Sequence, residues 1–93
     1  MSNVGNVVTC VTLLGEIVGR VTEESDTSVT LTSPRLFVPA QDGQEGGFSP
    51  GISMTGKINL DEAVLSKHVM LTLVPCHDQV SQGWQQATSG IIV

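Results

Sequence analysis

The residue types that could do chemistry in this chain are few and mostly lie far apart. Cys76, His77 and Asp78 are consecutive, and together they supply the side chains of a nucleophile, a base and an orienting carboxylate. Adjacent residues of a strand point to opposite faces, so three consecutive side chains do not form a catalytic triad unaided. A junction between a strand and a helix, with His77 or Asp78 as the N-cap, accounts for these residues better. We therefore expect a protein that is not an enzyme.

Metal and phosphate binding have little support in the pattern of residues. Carboxylates at positions 16, 23, 24 and 26 could meet a cation, but they cluster at a predicted hairpin end, where carboxylates are usually solvated. The glycine-rich stretch 43–47 lacks the Lys-Ser/Thr ending of a phosphate-binding loop. A zinc site would need four side chains that no spacing motif brings together, namely Cys10, His68, Cys76 and His77. The sequence therefore predicts no metal site and no cofactor.

The charge balance limits the partners of the chain. It has 93 residues, with 4 Lys+Arg against 9 Asp+Glu, and its formal net charge is -5. So few cations argue against general electrostatic binding of nucleic acid, because such binding depends on Lys and Arg that release counterions. Aromatic residues make up 3% of the chain, which leaves little material for platforms on which bases stack. Any nucleic-acid site must therefore be small and local.

The length indicates one small domain, 1–93, and the composition indicates the mostly-β class. Val, Ile and Thr supply 27 of the 93 residues, and β-branched residues favour strands. Ser33-Pro34 interrupts the third strand and marks a bulge or a free edge, because proline cannot donate to the ladder. The fourth strand has the clearest alternation of apolar and polar residues. We predict strands over about 6–14, 16–24, 28–38, 52–60 and 68–75, with a flexible loop over 39–51.

The segments after the fourth strand differ in period. One helical turn or a 3₁₀ connection is predicted over 61–67, before the last strand. A C-terminal helix over about 78–89 places Val80, Trp84 and Ala87 on one face. Trp84 is either the anchor of this helix on the strands or part of an interface with another molecule. An apolar tail, which we expect to lie against the strands or a neighbouring subunit, follows the helix: Ile91, Ile92 and Val93.

Five short strands and one helix predict a small barrel, since closure of a sheet on itself removes unpaired edges. Two of the predicted strands are apolar on both faces, and a barrel of this size has one interior. Another copy of the chain is the best cover for the outer faces. We therefore expect a homo-oligomer.

One segment of the chain carries a family resemblance. Residues 14–21 read LGEIVGRV, with a turn glycine at Gly15 and a second glycine, Gly19, in a strand that must bend. Asp26, followed by Leu31, matches the next turn and the start of the next strand. In these features the chain resembles the Sm-like (LSm) family over about residues 6–75, and especially the divergent Sm-like proteins of phages that infect marine cyanobacteria.

The resemblance implies both a fold and a binding surface. Sm-like proteins are small, five-stranded, strongly bent barrels that pair their edge strands between subunits into rings, and many bind uridine- or adenine-rich RNA around the pore. The family's stacking and amide positions correspond to Ser28 and Thr30, and its Arg-Gly motif is replaced by a stretch that includes Lys67 and His68. These four residues are the candidate RNA contacts, in a pocket without the family's stacking, amide and arginine side chains.

The resemblance further implies a ring-forming protein with an RNA-binding or RNA-chaperone role, whose partners are other copies of itself and single-stranded RNA. The alternative is a phage structural or assembly module that contacts other phage or host proteins without binding RNA. No stretch predicts an export signal or approaches the ~18 apolar residues of a membrane span, so no membrane partner is expected. A phage-encoded protein of this kind would act in the cytoplasm of the infected bacterial host.

Overall fold

The structure is a computed structural model that describes residues 3–13, 15–43, 46–52 and 55–88. Strands and one C-terminal helix account for most of the described chain, so the protein is mostly β. The predicted strands at 6–14, 16–24, 28–38 and 68–75 and the predicted helix agree with observed elements to within two residues. In chain order, the elements are β1 (Val7–Thr12), β2 (Gly15–Glu24), β3 (Ser28–Val38), β4 (Gly47–Phe48), β5 (Glu62–Ser66), β6 (Met70–Pro75) and α1 (Asp78–Thr88).

The strands form one antiparallel sheet with the order β4-β3-β2-β1-β6. The fifth strand, β5, also pairs with β3, along residues 28–32, whereas the two residues of β4 pair with Phe37 and Val38. Both β4 and β5 thus lie along the same side of β3. In the described part of the chain, β5 and β6 are therefore the long edge strands, on opposite sides of the sheet.

The core lies on one face of this sheet. Side chains that alternate along a strand share a face, and the inward residues of β1, β2 and β3 are almost all aliphatic. Partly buried residues of the edge strands and of the loop before β5 complete the packing. The fully packed members are Val8, Cys10, Ile17, Val21, Val29 and Leu31, and those packed against them are Leu36, Ile52, Leu65, Met70 and Leu73.

Gly19 allows the close approach of β2 and β3 at the centre of the sheet. A Cβ at this position would lie 2.9 Å from the Cβ of Leu31 and 3.2 Å from the carbonyl oxygen of Thr32. Beside it, β3 contains the bulge predicted at Ser33-Pro34: Val18 pairs with Arg35 but Arg20 pairs with Thr32. Ser33 has a φ of 51°, which is uncommon for a residue other than glycine. The strand pair therefore bends at this level.

The prediction of a strand over 52–60 is wrong for the described residues of that segment, 52 and 55–60, which form no strand. The alternation of apolar residues is present, but β5 pairs with residues 28–32 of β3 and β4 pairs with residues 37–38, so only the four residues 33–36, which include the bulge, are left on that side of β3. Backbone bonds hold the segment as a loop: the Asn59 N–H donates to the Pro50 carbonyl at 2.6 Å, and Asn59 has a φ of 54°. The loop leaves the sheet opposite the bulge of β3 and returns where the Ser33 N–H donates to the Asp61 carbonyl at 2.8 Å.

The prediction of a helical turn over 61–67 is also wrong, because Glu62–Ser66 is the strand β5. Ala63 and Leu65 are half-buried, and the intervening residues are exposed, which is the alternation of an edge strand with one face on the core. The pairing of β5 with the first half of β3 supplies the backbone partners that the segment 52–60 lacks.

The helix α1 packs on the face of the sheet opposite the core. Its N-cap is His77, one of the two predicted candidates: the Nδ1 atom of His77 accepts the N–H of Gln79 at 3.2 Å. Trp84 is 4% exposed, donates its indole N–H to the Ser33 carbonyl at 2.9 Å, and lies 5.8 Å from the Arg20 guanidinium. No helix in the described ranges is long and apolar enough to cross a membrane.

Candidate nucleic-acid interface

Two turns meet at one end of the sheet, and they hold most of the predicted RNA contacts. The turn after β2 and the turn after β5 are joined by a backbone hydrogen bond in which the Lys67 N–H donates to the Thr27 carbonyl at 2.8 Å. Ser28 pairs with Ser66 where the two strands meet the turns. We call this surface the turn rim, defined as residues 24–28 and 66–69.

Hydroxyl groups shape both turns of the rim. The Ser25 Oγ accepts the backbone N–H groups of Thr27 at 3.3 Å and of Ser28 at 3.1 Å, and it lies 3.1 Å from the Ser28 Oγ. In the second turn, the Ser66 Oγ accepts the N–H of His68 at 3.2 Å. Ser and Thr bonds of this kind fix tight turns without a regular ladder. The rim is therefore a polar surface with a defined backbone.

An ion pair crosses the rim. The Nζ of Lys67 lies 2.9 Å from the Oε2 of Glu24, and the side chains are 28% and 13% exposed, respectively. Asn3 approaches the same carboxylate from the other side, with its backbone N–H at 2.7 Å and its Nδ2 at 3.2 Å from Oε1. The hydrogen bond from Lys67, followed by that from the Asn3 backbone, lowers the pKa of Glu24 from 4.5 to about 2. Glu24 is thus ionised at neutral pH.

The four predicted RNA contacts do not share one environment. Ser28, Lys67 and His68 come together on the rim, and His68 is exposed. Thr30 is 7% exposed and lies within β3, between β2 and β5, so its side chain is closed to a base. Asp26, predicted as part of the fold motif, is exposed in the first turn of the rim.

The sequence predicts Glu24 only as one of several solvated carboxylates and predicts no role for Asn3. Nothing in the local sequence marks the pair, because Glu24 and Lys67 are 43 positions apart and Asn3 is 21 positions before Glu24. Lys67 and Glu24 become neighbours only through the pairing of β5 with β3. Two carboxylates, Glu24 and Asp26, and one lysine lie on the rim. The formal charge of the rim is therefore negative, like that of the whole chain.

The reactive residue types lie in different parts of the structure. Cys10 is buried in the core, and burial raises the pKa of its thiol to about 11, which keeps it protonated and unreactive. Cys76 and His77 line an open groove of about 240 Å³ beside α1, with mostly apolar neighbours such as Val11, Val74 and Val80. Among the described residues, no three His, Cys, Asp or Glu side chains lie close enough together to hold a metal ion.

The edge strands expose large apolar side chains. On β5, Val64 is 68% exposed, and on β6, Leu71 is 67% and Val74 is 39% exposed. Val69, between the two strands, is 64% exposed. Apolar residues next to an open strand edge are a template for pairing with another chain.

The predicted interface residues have different outcomes. Trp84 is buried against β3 of its own chain, which favours its interpretation as the anchor of α1 over that of a contact with another molecule. The other three, Ile91, Ile92 and Val93, lie outside the described residues.

Comparison with known proteins adds no family to these observations. The chain matches no protein-family model and has no significant match among curated proteins. In the described residues, the fold and the rim are those of a small, mostly-β protein with an antiparallel sheet, a C-terminal helix and a polar turn rim.

Proposed function

We propose that the protein is an Sm-like protein that assembles into a homo-oligomeric ring and binds single-stranded RNA at the turn rim. The observation that carries this proposal is the strand order β5-β3-β2-β1-β6, in which the last two strands of the chain lie at opposite edges of one bent antiparallel sheet. Such an order leaves one subunit with two different open edges, and the family resemblance implies that these edges pair between subunits.

The exposed side chains support pairing through these edges. Val64 on one edge and Leu71 on the other are each about two-thirds exposed, which is unusual for large aliphatic residues of a strand. Contact between β5 of one subunit and β6 of the next would bury both residues and satisfy both backbones. Because the two edges differ, the contact is head-to-tail, and a head-to-tail contact that closes forms a ring.

The turn rim supports contact with RNA of modest affinity. His68 is exposed, Lys67 supplies an ammonium group, and the hydroxyls of Ser25 and Ser28 are polar groups near both. Imidazole stacks on unpaired bases, and ammonium and hydroxyl groups bond to phosphate and ribose oxygens. In a ring, each subunit repeats this set, so that weak single contacts add along one strand of RNA.

A second function is favoured by the acidity of the rim. Lys67 is paired with Glu24, and the whole chain carries a net charge of -5, both of which weaken attraction to a polyanion. The same fold would then act as a phage structural or assembly module that contacts proteins through its apolar edges. No RNA would be bound in that case.

Fluorescence polarisation with labelled oligo-U and oligo-A at low salt distinguishes the two functions. If the rim binds RNA, the polarisation should saturate with a dissociation constant below about 100 μM. That value is the weak limit, about 100 μM, of dissociation constants for nonspecific binding of nucleic acid. The variant His68→Ala tests the site, because it removes the exposed ring and leaves the ion pair of Lys67 in place. It should weaken binding. Absence of binding below about 100 μM by the assembled protein would exclude the RNA function and leave the assembly module.

A further inference from the structure

Lys67 is the only one of the four cations in the chain that lies on the turn rim. Arg20 donates to the Gly5 carbonyl at 2.7 Å, and its guanidinium lies over the ring of Trp84, on the face of the sheet that α1 covers. Arg35 is 7% exposed and donates to the carbonyls of Pro34 and Leu60. Lys57 is exposed in the loop before β5. An RNA phosphate at the rim therefore has one ammonium group within the subunit to bind.

That ammonium group already has an anionic partner. The carboxylate of Glu24 lies 2.9 Å from the Lys67 Nζ, which is the distance of a direct, charge-assisted hydrogen bond. Asn3 donates to the same carboxylate from its backbone and its side chain, so the carboxylate is held in place before any ligand arrives. The pair is the one salt bridge found in the described part of the chain.

We propose that Glu24 is a built-in competitor of RNA, which holds the Lys67 ammonium in the place of a phosphate and so limits the affinity of the turn rim. This inference rests on the proposed function of the rim. A phosphate that reaches Lys67 must either displace the carboxylate or lie beside it, and like charges at such short range repel. The competition is intramolecular and prearranged by Asn3, so it acts at any concentration of protein. Since Glu24 stays ionised at neutral pH, it acts under all ordinary binding conditions.

The test compares Glu24→Gln with Glu23→Gln. Both substitutions remove one negative charge, but Glu23 is exposed on β2 and forms no ion pair with Lys67 in the structure. Two quantities are measured for each variant: acetylation of Lys67 by trace acetic anhydride, with Lys57 of the same molecule as the internal reference, and the affinity for labelled oligo-U. The double variant Glu24→Gln/Lys67→Gln shows whether any gain in affinity depends on the lysine.

Glu24→Gln should raise the ratio of Lys67 to Lys57 acetylation at least about twofold. It should raise the affinity for oligo-U by about twofold to fivefold, the range expected for one partly exposed ion pair. The dependence of affinity on salt should steepen by about 0.7 in the log–log slope, because one more phosphate is neutralised. Glu23→Gln should change the acetylation ratio little, and the double variant should lose the gain in affinity.

The outcomes separate this inference from the RNA function itself. Equal acetylation in Glu24→Gln and the wild type overturns the claim that Glu24 occupies Lys67. Increased acetylation of Lys67 with no gain in affinity for oligo-U overturns the competition between Glu24 and RNA. The RNA function itself is tested separately, by whether the wild type binds oligo-U. Binding by Glu24→Gln but not by the wild type supports the claim that Glu24 blocks Lys67, and it overturns the RNA function proposed for the wild-type rim. If Glu24→Gln does not fold, Asn3→Ala, which removes only the side-chain contact that positions the carboxylate, should raise acetylation of Lys67 in the same direction, and no change there overturns the inference.

Discussion

Trp84 offers a direct test of how α1 is attached to the sheet. It is the single tryptophan of the chain, it is 4% exposed, and its indole N–H donates to the Ser33 carbonyl at 2.9 Å. That carbonyl belongs to the bulge of β3, where Ser33 has no regular partner on β2. The indole therefore satisfies a backbone group at the irregular point of the sheet.

Trp84→Phe keeps an aromatic ring but removes the donor. The lost hydrogen bond should cost about 1 kcal/mol. The smaller ring, which leaves a gap and faces the Arg20 guanidinium less favourably, should cost about 1 kcal/mol more. A total of about 2 kcal/mol in a chain of this length corresponds to a fall in Tm of roughly 8–16 °C. Trp84→Ala, which leaves the full cavity, should cost about 3–5 kcal/mol.

Thermal unfolding followed by circular dichroism measures these differences, at equal protomer concentration because assembly also stabilises the folded state. Gln85→Ala is the matched control, since this neighbouring side chain is exposed on the same helix and its loss should change the free energy of unfolding by less than about 0.5 kcal/mol. Quenching of Trp84 fluorescence by acrylamide should be low in the folded wild type. Equal Tm values for Trp84→Phe and Gln85→Ala, or strong quenching in the folded state, would refute the anchoring of α1 through this residue.

Three other predictions follow from the packing and the ionisation of named groups. Gly19→Ala should lower the free energy of unfolding by about 1–3 kcal/mol, because its Cβ would lie 2.9 Å from a core side chain, whereas Gly47→Ala, whose Cβ meets nothing within 4 Å, should be near neutral in the same urea titration. The pKa of Glu24 is about 2 in the folded state against an ordinary 4.5, so its stabilisation is complete above about pH 4.5 and is lost as the pH falls towards 2. The stability difference between wild type and Glu24→Gln should accordingly shrink over that interval, and a difference that is constant with pH would argue against the ion pair. Iodoacetamide at pH 8 should label the half-buried Cys76 in the folded protein and leave the buried Cys10 unlabelled until urea is added; equal labelling of both would contradict the burial of Cys10.

The sequence predicts a strand correctly where apolar and polar residues alternate and a partner strand lies beside the segment. Residues 28–38 are a case in which β-branched residues, a proline and a polar turn before the strand all agree with the observed β3 and its bulge. The segment 52–60 shows that alternation alone does not make a strand. Its alternation is as regular as that of a strand, but a strand also needs a partner beside it, and β3 pairs with Gly47–Phe48 and Glu62–Ser66 on the two sides of its bulge.

The site shows a similar limit. Lys67 and His68 could be chosen from the sequence because they fall where the resembled family has its second motif, and Ser28 because it follows the first turn. The ion pair of Lys67 could not be predicted in this way, because its partner Glu24 becomes adjacent only through the pairing of β5 with β3. The spacing from Asp26 predicts Thr30 as an RNA contact, but spacing does not reveal that Thr30 lies between two neighbouring strands and is 7% exposed.

The mass of the protein in solution tests the central claim of edge-to-edge assembly most directly. Sedimentation velocity and native mass spectrometry of the wild type should give one closed assembly whose mass is a whole multiple of 9.8 kDa. Leu71→Lys places a charge on an exposed position of the β6 edge and should reduce the assembly to smaller species, because a charged edge resists strand pairing. Leu13→Lys, the same substitution at an 84% exposed residue in the turn after β1, should leave the mass unchanged. A wild-type mass of 9.8 kDa at every concentration tested, or an assembly that Leu71→Lys leaves intact, would contradict assembly through these edges.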